Sequence, residues 1–65
     1  MITFNGQPVD AQDVTIATLL SSMNIETRGV AVALNGEIVR RGEWSERSVV
    51  SGDRVEVVSA VAGGA

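Results

Sequence analysis

Hydrophobic and polar positions alternate at the start of the chain, with Ile2 and Phe4 on either side of Thr3, and the alternation stops at Asn5-Gly6. Both residues of that pair tolerate positive φ, which suits a two-residue type I′ turn, so the pattern predicts a β-hairpin. Its return strand, 7–10, contains Pro8, which has no N–H for a ladder and belongs at a sheet edge, with Val9 facing inward. The period then changes. Ile16, Leu19, Leu20 and Met23 recur at i, i+3, i+4 and i+7, one apolar stripe that predicts an amphipathic helix over 13–23. The Thr15 hydroxyl is placed to cap it, Asp13 puts negative charge near its positive end, and Asn24 is a stop. Met23 reads as a core filler, because a flexible thioether fits irregular gaps.

Alternation resumes at Val30-Ala31-Val32-Ala33-Leu34, where the three larger side chains share one face and Ala31 and Ala33 the other. A second Asn-Gly pair, Asn35-Gly36, reverses the chain into a short strand at Glu37–Val39. Residues 40–52 are polar and aperiodic, which predicts a loop with one short helical turn. Within it, Trp44 is expected as a lid over a small cluster beneath the loop, and Arg40 and Arg41 as a solvated pair. Gly52-Asp53 marks a turn into a final strand, Arg54 to Val61. Val55 and Val57 face one way along that strand, and Glu56, Val58 and Ala60 the other. Glu56 puts the second face in solvent, so Val58 and Ala60, with Ala31 and Ala33, are expected to form an exposed apolar patch where a partner docks. The element order β-β-α-β-β-β, with one helix to cover one face of a mixed sheet of four to five strands, is an α+β, β-grasp arrangement. The final strand is expected at the centre, parallel to the first.

Composition narrows the function classes. A chain of 65 residues is one domain, and a domain of that size buries only about 60% of its unfolded surface, which leaves little wall for an enzyme cleft. Eight acidic against five basic residues give a net charge of -3, the wrong sign for neutralising phosphates, so nucleic acid is not an expected partner. With no Cys and no His, disulfides, the common zinc sites and most nucleophile-base pairs are out of reach. A reducing, cytoplasmic setting fits. The first residues carry no positive charge and too short an apolar run for an export signal or membrane anchor, and neither is expected. A carrier, adaptor or inhibitor is the class that remains.

The stretch Ala60-Val61-Ala62-Gly63-Gly64-Ala65 then drops every structural signal. Side-chain-free glycines suit a segment that threads a narrow channel and lets another backbone or a nucleotide approach closely. A division into a folded domain, 1–61, and a carrier tail, 62–65, is expected, the tail being mobile until a partner holds it.

Several stretches together resemble the ThiS family, the small ubiquitin-like sulfur carriers of thiamine biosynthesis. Thr15-Ile16-Ala17-Thr18-Leu19-Leu20 is similar to the family's helix opening, and Val32-Ala33-Leu34-Asn35-Gly36-Glu37-Ile38-Val39, followed by Arg41 and Trp44, to its central signature. Gly52-Asp53 and the Gly63-Gly64 tail complete the match. The resemblance implies that an E1-like, ThiF-like enzyme uses ATP to adenylate the carboxylate of Gly64. A persulfide donor, such as a cysteine desulfurase, then leaves a thiocarboxylate there, which a ThiG-like thiazole synthase consumes. It implies no cofactor bound by this chain and no catalysis of its own. Val58, Ala60, Val61, Ala31 and Ala33 would meet the partner, and Ala62 and Gly63 would lead to Gly64. Two departures stand out. Arg40 occupies the place where the family commonly has proline, and Ala65 follows the diglycine, so a peptidase is expected to remove it first. A carrier for molybdopterin, cysteine or secondary-metabolite sulfur chemistry is the alternative within the class. A non-reactive β-grasp binding module is the alternative outside it.

Overall fold

The protein is described from a computed structural model that covers residues 1–11 and 13–59. In chain order its elements are β1 (Ile2–Phe4), β2 (Gln7–Val9), β3 (Val14–Thr15), α1 (Ile16–Ser22), β4 (Val30–Leu34), β5 (Glu37–Val39), a 3-10 turn (Arg41–Glu43), β6 (Ser48–Val49) and β7 (Arg54–Ser59). Both Asn-Gly pairs adopt left-handed backbone, with φ of 50 and 84° at Asn5 and Gly6 and of 53 and 89° at Asn35 and Gly36. That is the type I′ signature, whose twist matches the strands it joins. The turns close β1 on β2 and β4 on β5, both antiparallel. β7 lies between the hairpins, giving the order β2-β1-β7-β4-β5. It runs parallel to β1, with Thr3 opposite Arg54 and Phe4 opposite Val55, and antiparallel to β4 from Val30 opposite Ser59 to Leu34 opposite Val55. Pro8 is on an edge strand, as its missing N–H requires.

The helix starts after Thr15, as the expected cap requires, and ends one residue short of the apolar stripe. Val14 and Thr15 pair with Val49 and Ser48 in a separate two-stranded sheet, and Asp13, at φ 60°, turns the chain into it with its N–H on the Val49 carbonyl at 2.8 Å. Asp13 therefore lies outside the first helical turn. Thr15 does cap the helix, its hydroxyl oxygen accepting from the Thr18 N–H at 3.1 Å. Met23 is the C-cap rather than a helical residue, half-buried against the core. Asn24 stops the helix at φ 57°. Its N–H reaches the Ser21 carbonyl at 3.1 Å and that of Ile25 the Leu20 carbonyl at 3.0 Å, the bond pair of a Schellman motif.

One core lies between α1 and the inner face of the large sheet. Ile2, Phe4, Val32, Leu34, Val39 and Val55 come from the sheet, Ile16, Leu19 and Leu20 from the helix, and Trp44 and Val49 from the 40–52 segment. Each such aliphatic side chain, once fully buried, stabilises the fold by about 1.5–3 kcal/mol. The 40–52 segment is more structured than its polarity predicted, and Trp44 is no lid over a separate cluster: it belongs to the main core, with its indole N–H donating to the Val39 carbonyl at 3.0 Å. Arg40 and Arg41 are both exposed, as expected of a solvated pair, but Arg41 is also tethered. Its Nη2 donates to the Thr27 carbonyl at 2.6 Å and its guanidinium lies 5.4 Å from the centre of the Trp44 ring, where the cation meets the negative face of the indole. The return strand β2 ends at Val9, one residue short of the end its sequence pattern suggested. Strand β7 is described to Ser59. Ala60, Val61 and the 62–65 tail, and with them the expected boundary after 61, lie outside the described residues.

Candidate functional site

Alternation along β7 sends Val55 into the core and Val58 out, and the register fixes what surrounds Val58. Ala31 of β4 is directly opposite it, and Ala33, two residues on, stands between Glu56 of β7 and Ile38 of β5. Val58 is 63% exposed and Ile38 72%, while Ala31 and Ala33 are half-buried between their strand neighbours. The β5 side of the outer sheet face is therefore apolar except for Glu56, and the β1 side carries Thr3, Arg54 and Pro8. Of the expected patch, Val58, Ala31 and Ala33 come together; Ala60 and Val61, also expected there, lie outside the described residues, as do Ala62, Gly63 and Gly64. Ile38 is the member that sequence reasoning missed. Its signal was available, because Asn35-Gly36 fixes the hairpin register and puts residue 38 opposite Ala33 on the outer face.

Position along β7 is held by two asparagines. Asn35 accepts from the Arg54 N–H through Oδ1 at 2.9 Å and donates through Nδ2 to Asp53 Oδ1 at 3.1 Å. The other Asp53 oxygen accepts from the Val50 N–H at 2.9 Å. These bonds, that to the Val50 backbone foremost, hold the Asp53 carboxyl below its ordinary pKa against a small opposing effect of burial. At the other hairpin Asn5 accepts from the Val57 N–H at 2.8 Å and donates to the Val57 carbonyl at 3.2 Å. Its carboxamide stands in for a peptide group one step past the end of β1.

Among the described residues no group of three or more metal-ligating side chains converges, and no helix is long and apolar enough to cross a membrane. An open groove of about 450 Å³ runs along the end of α1, lined by Ala17, Ser21, Asn24, Ile25, Glu26 and Thr27. Glu26 is the one titratable side chain on that lining, so the groove offers no acid-base pair. What the described surface presents instead is the exposed outer sheet face around Val58 and Ile38.

Comparison with known proteins points the same way. Residues 2–64 match the model of the ThiS family. The chain is 39% identical over 64 residues to a sulfur carrier protein ThiS from Thermus thermophilus, covering 98% of this chain and all of that one. It superposes on the crystal structure of a thiamine biosynthesis protein, ThiS, from Geobacter metallireducens with a TM-score of 0.77 at 34% identity, over 88% of each chain. It is also 31% identical, over 97% of its length, to 20% of a thiazole synthase from Paramagnetospirillum magneticum.

Proposed function

This chain belongs to the ThiS family of sulfur carrier proteins, a carrier rather than a catalyst, and from that we propose that it bears sulfur as a thiocarboxylate on Gly64 and delivers it for thiazole formation. One observation carries the reading: the family match runs through residue 64 and so takes in the whole diglycine of a chain otherwise without reactive side chains. A free carboxylate is a poor acyl donor, so Gly64 needs activation. Its oxygen attacks the α-phosphate of ATP at an E1-like enzyme, pyrophosphate leaves, and the acyl adenylate forms. The terminal sulfur of a protein persulfide then attacks the acyl carbon and AMP departs. A thiol then attacks the donor's cysteine sulfur in the resulting acyl disulfide, the S–S bond breaks, a new disulfide forms between that thiol and the donor, and the thiocarboxylate leaves with its sulfur reduced. Both ATP and the thiol belong to a cytoplasmic setting.

Ala65 must leave before the first step, since an amide-linked Gly64 has no carboxylate. Hydrolysis of the Gly64–Ala65 bond by a peptidase consumes one water and supplies it. The outer sheet face, with Val58, Ala31, Ala33 and Ile38, and with Ala60 and Val61 beyond them, docks on the enzyme while Ala62 and Gly63 pass through its channel. The occurrence of a similar segment within a thiazole synthase polypeptide favours thiazole synthase as the acceptor over other sulfur pathways. Intact mass tests the proposal. After incubation in cell extract of the source organism with ATP and a sulfur donor, loss of Ala65 together with exchange of one oxygen for sulfur is the expected result. An unchanged mass, beside a reference carrier converted in the same extract, would refute it.

A further inference from the structure

Backbone groups along β7 point alternately to its two neighbours. Arg54 faces β4, its carbonyl accepting from the Asn35 N–H at 2.7 Å, while Val55 faces β1, its carbonyl accepting from the Asn5 N–H at 2.9 Å. Val57 faces the β1 side too, and because β1 ends at Phe4 its N–H and carbonyl are met by the Asn5 side chain instead. The next residue of that series is Ser59. On its other flank β4 still accompanies β7, with Val30 opposite Ser59. On the β1 side the chain has turned away at Asn5-Gly6 into β2, and no described residue meets the Ser59 N–H or carbonyl there.

We propose that this vacated lane beside Ser59 receives an extended strand of the adenylating partner, which continues the ladder that β1 and the Asn5 carboxamide begin. The proposal rests on the carrier reading above. Beyond Ser59 the chain runs Ala60-Val61-Ala62-Gly63-Gly64, with no charge and no hydrogen-bonding side chain. A partner that selects such a segment has little besides its main chain to recognise. Strand addition supplies that recognition, because main-chain bonds give affinity without side-chain identity. Small side chains also let a second backbone come close. Asn5 keeps the lane open by fixing Val57 without extending β1 past it.

The test removes one N–H. Ser59→Pro deletes the donor on the open side, and since that N–H is not in the β4 ladder, the fold should tolerate it as outward-facing edge positions tolerate proline. Ser59→Ala keeps the N–H and serves as control. Binding of the full chain to the ThiF-like adenylating enzyme of its source organism is measured by calorimetry with ATP present. The Kd is expected to rise about fivefold for Ser59→Pro, the worth of one main-chain hydrogen bond, and to stay unchanged for Ser59→Ala. Hydrogen exchange at the Ser59 amide should slow on complex formation. Should Ser59→Pro melt far below the parent, an ester in place of the Val58–Ser59 amide, made by ligation, removes the same N–H without the ring. Equal affinity for the parent and these variants, or Ser59 exchange as fast in the complex as in the free chain, would overturn the proposal. So would a concentration-dependent dimer that protects Ser59 without the enzyme. A parent that acquires sulfur as fast as Ser59→Pro sinks the added strand alone, whereas a parent that acquires none sinks the carrier reading and this inference with it.

Discussion

Replacing Val58 with Glu separates docking from folding, because the two depend on different parts of that side chain. Val58 keeps 63% of its surface exposed, so folding removes roughly a third of it from water, worth about 0.5–1 kcal/mol on a scale of about 1.5–3 for full burial. The methylenes of glutamate recover part of this, and its lower strand propensity costs back an amount within about 1 kcal/mol. The net change should fall near 1 kcal/mol, a drop of about 4–8 °C in melting temperature for a domain of this size. Binding is affected far more. In a complex that covers Ala31, Ala33, Ile38 and Val58, a carboxylate would be stripped of water with Glu56 of the same strand close by, and a central contact of this kind is worth about 2 kcal/mol or more. Affinity for the adenylating enzyme should fall at least about thirtyfold. Calorimetric titration and thermal melting of the same preparation measure both numbers. A fall of about 15 °C or more, about twice that expected for a peripheral side chain, would put Val58 in the core. Unchanged affinity would remove this face from the interface.

Ile38→Glu should behave like Val58→Glu, with small loss of stability and large loss of affinity, and normal binding by it would confine the docking face to β4 and β7. Trp44→Phe deletes the indole N–H that the Val39 carbonyl accepts in addition to its place in the β4–β5 ladder, a loss of about 0.5–1.5 kcal/mol that chemical denaturation can read; an unchanged midpoint would refute that role. Asp53 has its folded pKa lowered, so its contribution is present above the ordinary carboxylate pKa and is lost as pH falls through the folded value. The stability gap between parent and Asp53→Asn should therefore narrow as pH falls below the ordinary carboxylate range, and a constant gap in melts across that fall would count against the linkage.

Both hairpins were legible in the sequence because Asn-Gly states its turn type locally, and the turn then sets register for three residues on either side. The patch residues Ala31, Ala33 and Val58 followed from alternation alone. Thr15 was legible as the helix cap, but its pairing, with Val14, to Ser48 and Val49 is a contact more than thirty residues away that no local period encodes. Trp44 was misplaced, and the tether of Arg41 missed, for a related reason. An isolated aromatic in a polar stretch shows no face, and only the fold brings its N–H to Val39 and the guanidinium to both Thr27 and the indole. Ile38 is less legible because it lies in a three-residue strand, too short for alternation to show a face, and only the register set by Asn35-Gly36 puts it beside Ala33. The tail chemistry came from composition and resemblance, which the family match supports at the level of a sulfur carrier.

The central position of β7 has a consequence for how the molecule is made. Thr3 waits for Arg54 and Phe4 for Val55, so the two hairpins cannot join into one sheet until the ribosome has delivered the segment Arg54–Ser59. Until then β1 and β4 have no strand to join them edge to edge, and pairing across such separations is slow relative to local hairpin formation. The carrier segment comes immediately after the strand that completes this closure. Under the function proposed above, a nascent or misfolded chain would offer an activating enzyme glycines but no assembled face to read beside them, and ATP would be spent only on molecules that have finished folding.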